Sequence, residues 1–524
     1  MPKNRNNQIH EFFQIATHNL KIRNYQDAKK YFEIILNIDS KNVFALYNLG
    51  IVFQELGDLE KAIELYEKVL KLKPKNLEDV YLGLGIVFKA IGDYKKSLES
   101  YENAIKTNPE YFVAYNNLGN LNKQLGFYEK ALDCFHKAIK INPKYAMAHN
   151  NLGMTFQDLG KKLEAKKSFE TAIRLDPDNL FFLYNLTILD NKIINSELKE
   201  KLKKIVKEKN ISKKNVAYGC FILSRYEEKN NNHEQEISYL LNGHKLFYEF
   251  EKRNYKKSID YWLDFLPKKI ADYNLENEAY KVSKDECDLI PIFIIGVPRS
   301  GSTLIEKIVT SGKVTISEGE ETGIIDSTFD KLVNNESPKK NDLFKLKKKI
   351  VDAYKIRNLI NKKNNFIFTD KSLENFFYLD TIKKLFPRAK IINCQRNFLS
   401  TTMSTLKINL QNLSWTHSIE DILKYHDIYF KTINQFTQNS ADFIYNLSYE
   451  KLIDNPEKET KDLFNYCELP WSSECLEFYK RKNLTSSTSS NLQIRNAIYK
   501  DAKDKYFIYK KLLIEYGKEY SWFK

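Results

Sequence analysis

Residues 290–306, IPIFIIGVPRSGSTLIE, carry an apolar run through Gly296-Val297-Pro298-Arg299-Ser300-Gly301-Ser302-Thr303 into a helical pattern. Glycines at this spacing let a loop backbone close around a phosphate, and the helix that follows offers it unpaired N–H donors. The triphosphate-binding form of the loop, GxxxxGK[ST], adds a lysine that reaches the terminal phosphates. Here hydroxyls follow the second glycine, and Arg299 is the only cation in the loop. The chemistry expected is that of a nucleotide with one 5′-phosphate, which speaks against a kinase or ATPase using the same loop. A second anion site is expected at Arg396 and Ser404, eight residues apart across a strand-to-helix passage. A guanidinium and a hydroxyl so placed can converge on one dianion, as a 3′-phosphate requires.

Four segments must position these residues. IPIFIIGV (290–297), FIFTD (366–370), AKIINCQR (389–396) and FIYNLSYEKL (443–452) read as strands with helical stretches between them. That alternation predicts a doubly wound α/β domain with a central parallel sheet. Ligands gather at the C-terminal strand ends of such sheets, which is where Arg299, Lys371, Arg396 and Tyr449 stand. The acidic pair Glu320-Glu321 taken alone reads as a solvated loop; beside the other motifs it reads as chemistry.

The first third of the chain is a repeat array. Pro109, Pro143 and Pro177 recur every 34 residues, and Gly85, Gly119 and Gly153 keep that step, with Pro74 and Gly50 one residue off. Small residues at Ala28, Ala62, Ser97, Ala131 and Ala165 are each followed four residues on by Phe32, Tyr66, Tyr101, Phe135 and Phe169. The glycine and the small residue let two helices pack closely, the aromatic fills the hollow, and the proline ends the second helix. The pattern resembles the tetratricopeptide repeat, which implies a superhelix whose concave groove takes a protein or peptide segment. Asn116-Asn117, Asn150-Asn151 and Asn48 are expected to line that groove or else to be plainly solvated. Residues 180–280 remain helical and include a degenerate sixth repeat around a polar turn at Asn230–Asn232. The expected organisation is an N-terminal α-solenoid (8–180), a helical linker (181–284) and the α/β domain (285–524).

The phosphate loop and the Arg396–Ser404 segment together resemble sulfotransferases that use 3′-phosphoadenosine 5′-phosphosulfate (PAPS). The relatives named by the resemblance are the tetratricopeptide-repeat sulfotransferases and, behind them, the protein-tyrosine sulfotransferases. It spans most of 288–470 and takes in Gly319-Glu320-Glu321-Thr322, Thr369-Asp370-Lys371, Phe386-Pro387-Arg388-Ala389-Lys390 and Tyr449-Glu450-Lys451-Leu452. Thr488-Ser489-Ser490-Asn491-Leu492-Gln493-Ile494-Arg495 looks like the segment that closes over the nucleotide in repeat-bearing members.

The resemblance implies a P-loop-like sulfotransferase fold and a set of roles. Gly296, Pro298, Arg299, Ser300, Gly301, Ser302 and Thr303 would hold the 5′-phosphate and sulfuryl oxygens, and Arg396 and Ser404 the 3′-phosphate. Tyr449, Ser490, Gln493 and Arg495 would complete the cofactor site. Lys371 would sit at the bridging oxygen, and the base would be Glu321, or Glu320 as in bacterial repeat-bearing members. No metal is required. Three positions depart from the pattern. Gly323 stands where the tyrosine enzymes have a substrate-binding arginine, Glu318 where they have a cysteine, and Asn397-Phe398 where repeat-bearing relatives often have Asp/Asn-Pro. The rival reading outside catalysis is an interaction scaffold with an inactive sulfotransferase-like domain.

The bulk numbers bound the rest. A chain of 524 residues holds two or three domains. The net charge of +15 reads mainly as solvated lysine with a general pull on anionic ligands, and not as a nucleic-acid footprint. Cys134, Cys220, Cys287, Cys394, Cys467 and Cys475 show no pairing or metal-ligand spacing, as free thiols in a reducing cytosol would. MPKNRNNQIHEFF has no hydrophobic signal core, and no apolar run suits a membrane span, so a cytoplasmic protein is expected.

Overall fold

The computed structural model describes residues 2–208, 211–272, 289–333, 342–360, 366–498 and 505–523. The expected boundary at 284/285, the end of the helical stretch to 280, and Cys287 lie outside the described residues. The chain falls into two compact units, Met1–Thr155 and Phe156–Lys524.

The first unit is helix upon helix, from Pro2–Lys21 and Tyr25–Ile38 to Phe112–Gln124 and Tyr128–Ile141. Local chemistry sets the ends. Asn42, Asp58 and Asp93 accept from the backbone N–H three residues on, as N-caps do. Pro74, Pro109 and Pro143 stand two residues beyond the ends of Leu59–Leu72, Tyr94–Thr107 and Tyr128–Ile141. Between helices the periodic residues pack as their sizes require. Ala28, Ala62, Ser97 and Ala131 are fully buried, and so are the rings of Phe32, Tyr66 and Phe135. A Cβ on Gly50 would meet the Tyr66 ring at 2.7 Å, and one on Gly119 the Phe135 ring at 2.6 Å. Each ring so buried contributes roughly 1.5–3 kcal/mol.

The asparagines bond to one another and to their own helices. Asn116 and Asn151 are buried, and Asn151 Nδ2 donates to Asn116 Oδ1 at 2.9 Å, 35 residues away. Asn117 and Asn48 donate back to Val113 O and Phe44 O of their own helices. A buried amide must find a partner, and one repeat's step brings its counterpart within reach.

The second unit opens with helices, including the pair Lys213–Lys229 and His233–Asp260 on either side of the polar turn. Among the described residues its sheet has four strands: β1 (Ile290–Gly296), β2 (Ile367–Asp370), β3 (Lys390–Gln395) and β4 (Ile444–Ser448). All pairings are parallel, in the order β2-β1-β3-β4. β1 lies at the centre, with Ile292, Phe293, Ile294 and Ile295 fully buried. Alternate residues feed two apolar clusters, Phe293 and Ile295 on one face, Ile292 and Ile294 on the other. A parallel sheet covered on both faces explains why the central β1 reads as an unbroken apolar run. Among the described residues, no helix is long and apolar enough to cross a membrane.

Candidate active site

The strand order puts the residues after each strand, Val297, Lys371, Arg396 and Tyr449, along one edge of the sheet. After β1 the loop turns into the helix Ser302–Val309, with Ser302 and Thr303 buried in its first turn. The loop is a tight cradle. A Cβ on Gly296 would lie 2.5 Å from Ser300 Oγ and 2.9 Å from Cys394 O. Gly301, at φ +99°, could carry none without meeting Tyr449 Cδ2 at 2.6 Å. Pro298 O accepts from Thr405 Oγ1 at 3.5 Å.

Two guanidiniums meet at this cradle. Arg299, itself at φ 70°, donates from Nε to Ser404 Oγ at 3.0 Å, and from its terminal nitrogens to Ser490 Oγ at 2.6 Å and Gln493 Oε1 at 2.9 Å. Arg396 donates to Arg299 O at 3.1 Å and lies 4.4 Å from the Tyr449 ring centroid, a cation–π distance. Arg299, Gly301, Arg396, Tyr449, Ser490 and Gln493 share the wall of one open cleft. Thr303 Oγ1 lies 3.2 Å from Thr488 Oγ1. Ser404 is carried by the helix Phe398–Leu406, whose N-cap Asn397 accepts from Ser400 N at 3.2 Å. Arg495 lies apart from these groups: its guanidinium donates to Asp158 O, Leu484 O and Asn491 Oδ1.

The acidic residues lie in the segment that runs alongside β2, the strand next to β1. Residues 317–320 run beside β2: Thr369 N donates to Ser317 O at 2.9 Å and Lys371 N to Glu320 O at 2.8 Å. At Gly319 a Cβ would overlap Thr369 O, so only glycine fits there. The two glutamates then diverge. Glu321, with 54% of its side chain exposed, accepts one 2.9 Å bond from the fully buried Lys371 Nζ. Glu320 is engaged at both oxygens, Oε1 by Lys307 Nζ at 3.3 Å and Oε2 by Ser487 N at 3.1 Å and Ser487 Oγ at 2.5 Å. Burial works against the Glu320 charge, but Lys307, Lys371 and the Ser487 bonds outweigh it and hold that carboxyl below its ordinary range. Burial also opposes the Lys371 charge, and Glu321, Glu306 and Glu320 overcome it, so Lys371 titrates higher than usual.

Beneath this pair lies a buried ion network. Lys307, fully buried, donates to Glu318 Oε2 at 2.5 Å, and Arg481 closes on Glu318 Oε1 at 2.5 Å. Glu306 accepts from Thr369 Oγ1 at 2.7 Å and Glu320 N at 3.0 Å, and burial pushes its carboxyl up. Asp370 is tied by Thr322, Tyr354, Ser372 and Asn375, which fixes the turn that presents Lys371. Glu374 is pushed up to about 8 by burial and then by Asp326.

Residues 291–473 match the sulfotransferase family. Residues 43–76, 112–145 and 146–179 match the tetratricopeptide repeat, and 87–126 a further form of it. The chain joins tetratricopeptide repeats to a sulfotransferase-family domain. It is 26% identical over 332 residues to an uncharacterized protein of Aquifex aeolicus (strain VF5), an alignment covering 58% of this chain and 41% of that protein. The chain thus spans about two fifths of the length of the curated relative it matches. Similar solved structures include tetratricopeptide repeat proteins. MamA of Desulfovibrio magneticus RS-1 is 25% identical over 32% of this chain and 96% of its own, with a TM-score of 0.29. A tetratricopeptide repeat protein of Parabacteroides merdae is 18% identical over 46% of this chain and 93% of its own, with a TM-score of 0.35.

Several residues of the sulfotransferase-family domain escape a motif reading: Glu306, Lys307, Arg481 and Ser487 in the ion network, and Asp370 as an anchor. One signal was available. In LIEKIV (304–309) two adjacent charges sit inside an apolar helix, and such charges are buried only when paired. Glu318, in the position of the tyrosine enzymes' cysteine, ties Arg481 and Lys307 by charge.

Proposed function

We propose that this domain transfers a sulfuryl group from PAPS to a hydroxyl acceptor, with Glu321 as general base and Lys371 as the cation at the departing oxygen. The observation that carries the reading is the 2.9 Å Glu321–Lys371 pair on the strand edge beside the phosphate cradle. The residues present fit the donor. The cleft brings Arg299, Arg396, Tyr449, Ser490 and Gln493 to one wall, and the Gly296 and Gly301 cradle beside it has no room for side chains. Ser300, Ser302, Thr303 and the helix N–H groups would hold the 5′-phosphate, and Arg396 and Ser404 the 3′-phosphate. Arg299, whose Nε reaches Ser404, would span the two positions, with Tyr449, Ser490, Gln493 and the Arg495-anchored segment around them.

The bound donor supplies an activated sulfuryl group. Glu321 removes the acceptor's proton as the acceptor oxygen bonds to sulfur. The sulfur–oxygen bond to the 5′-phosphate breaks, and Lys371 and Arg299 neutralise the charge that develops there, a task a metal ion performs in many phosphoryl transfers. Glu320, engaged at both oxygens, keeps its loop in place. The repeats suit a protein or peptide partner, so a macromolecular acceptor is favoured. Calorimetric titration of the full chain with adenosine 3′,5′-bisphosphate, with ATP and AMP as controls, tests the donor site. Micromolar binding that needs the 3′-phosphate and no Mg²⁺ is expected; a preference for Mg-ATP, or no binding, overturns the reading.

A further inference from the structure

Four inter-helix turns of the repeats place a glycine at positive φ, at Gly57, Gly92, Gly126 and Gly160. At Gly57 and Gly126 a Cβ would meet nothing within 4 Å. At Gly160 it would overlap the guanidinium of Arg495. The repeat 146–179 therefore has its turn covered by a residue more than 300 positions later.

The covering contact has a physical cause. The helix Ala146–Asp158 ends in the usual left-handed manner, with Gly160 N bonded to Gln157 O and Lys161 N to Phe156 O. Those bonds leave Asp158 O among the carbonyls a helix cannot satisfy itself, at its negative end. Arg495 donates to this oxygen at 2.9 Å, and Ser486 N donates to the same oxygen at 3.1 Å. The guanidinium also holds Leu484 O at 3.1 Å and Asn491 Oδ1 at 3.2 Å, and Asn491 holds Ser486 O. Residues 484–495 are thus folded onto the helix end as one piece. The opposite side of the same piece carries Ser487 to Glu320, Thr488 to Thr303, and Ser490 and Gln493 to Arg299.

We propose that Arg495 is a positioning residue, fastening this segment to the Asp158–Gly160 turn so that the turn sets the affinity of the donor site. The proposal rests on reading that site as one for PAPS. Without the anchor, Ser490 and Gln493 lose their fixed approach to Arg299.

The test is titration of the full chain with adenosine 3′,5′-bisphosphate. Arg495→Ala should weaken binding roughly tenfold, the worth of hydrogen bonds from a charged group. Gly160→Ala should weaken it comparably, and the double variant no further than the stronger single one. Gly126→Ala imposes the same backbone strain where nothing lies above it, and should bind as the wild type does. Arg495→Lys should recover part of the loss. Loss with Arg495→Ala but not with Gly160→Ala would mean that Arg495 acts on the nucleotide itself, and would overturn the proposal. Wild-type affinity in both variants would overturn it as well. A wild-type chain that does not bind the ligand refutes the donor-site reading instead, and is distinguished by that control.

Discussion

The repeat unit and the sulfotransferase-family unit solve the problem of buried polar groups in opposite ways. In the first unit polar side chains bond within the same helix or about one repeat away, as Asn117 does with Val113 and Asn151 with Asn116. In the sulfotransferase-family unit partners come from far along the chain: Arg299 meets Ser404 across 105 positions and Ser490 across 191, and Arg481 meets Glu318 across 163. The first arrangement is modular, so damage stays local and costs stability. The second makes a few residues answerable for both the site and its scaffold.

The largest effect expected from this contrast is on turnover alone. Glu321→Gln should lower kcat by about 10²–10⁴, and Lys371→Ala by about 10²–10³, with adenosine 3′,5′-bisphosphate affinity nearly unchanged. Steady-state sulfuryl transfer beside calorimetry separates the two quantities. Equal losses in rate and affinity would argue that the pair holds the nucleotide instead. If Glu320→Gln alone abolished turnover while Glu321→Gln did not, the assignment of the base would reverse.

Next comes the ion network. Lys307→Met removes the buried partner of Glu318 and Glu320, and breaking such a pair costs roughly 3–5 kcal/mol. Urea unfolding followed by tryptophan fluorescence reports on this unit, since all four tryptophans lie beyond residue 260. An unchanged midpoint would show that the network contributes no stability. A smaller effect is expected in the repeats. Gly119→Ala pushes a methyl into the Phe135 ring, and overpacking costs about 1–3 kcal/mol. Helical unfolding by circular dichroism should register it while nucleotide affinity stays at the wild-type value. A change in affinity would show that packing around Gly119 reaches the donor site.

The smallest effect is on pH. His244 is buried against His417 and Leu406 O, and burial holds its pKa down to about 4. The unfolded chain binds this proton first as pH falls. Stability from this group is therefore full above about pH 7 and declines from about pH 6.5 towards 4, by up to about 1.4 kcal/mol per unit. His417 is pushed in the same direction by burial and by His244. Unfolding at pH 7.5 and 5.5 should show a drop that shrinks in His244→Asn; an equal drop would place the titration elsewhere.

Much of this was legible in the residues. The periodic glycines, small residues and aromatics announce the repeats because each acts through neighbours at a fixed step. The four strands announce themselves because a central parallel strand must be apolar on both faces. The phosphate loop is legible because its chemistry is backbone chemistry, which glycine spacing records. The bond between Asn151 and Asn116 was not legible, because a polar residue on a helix shows its partner only once the neighbouring repeat is in place.

What the chain alone determined, then, is which elements form and which edge of the sheet collects Arg299, Lys371, Arg396 and Tyr449. Only the tertiary structure separated Glu320 from Glu321, since identical side chains differ only in what surrounds them. Lys307 and Ser487 occupy one, while solvent and Lys371 are left to the other. Only the tertiary structure, too, set Arg495 on the end of a repeat helix. A carbonyl left unsatisfied by its own helix exerts no preference in the sequence, and it selects its partner only when distant segments are brought together.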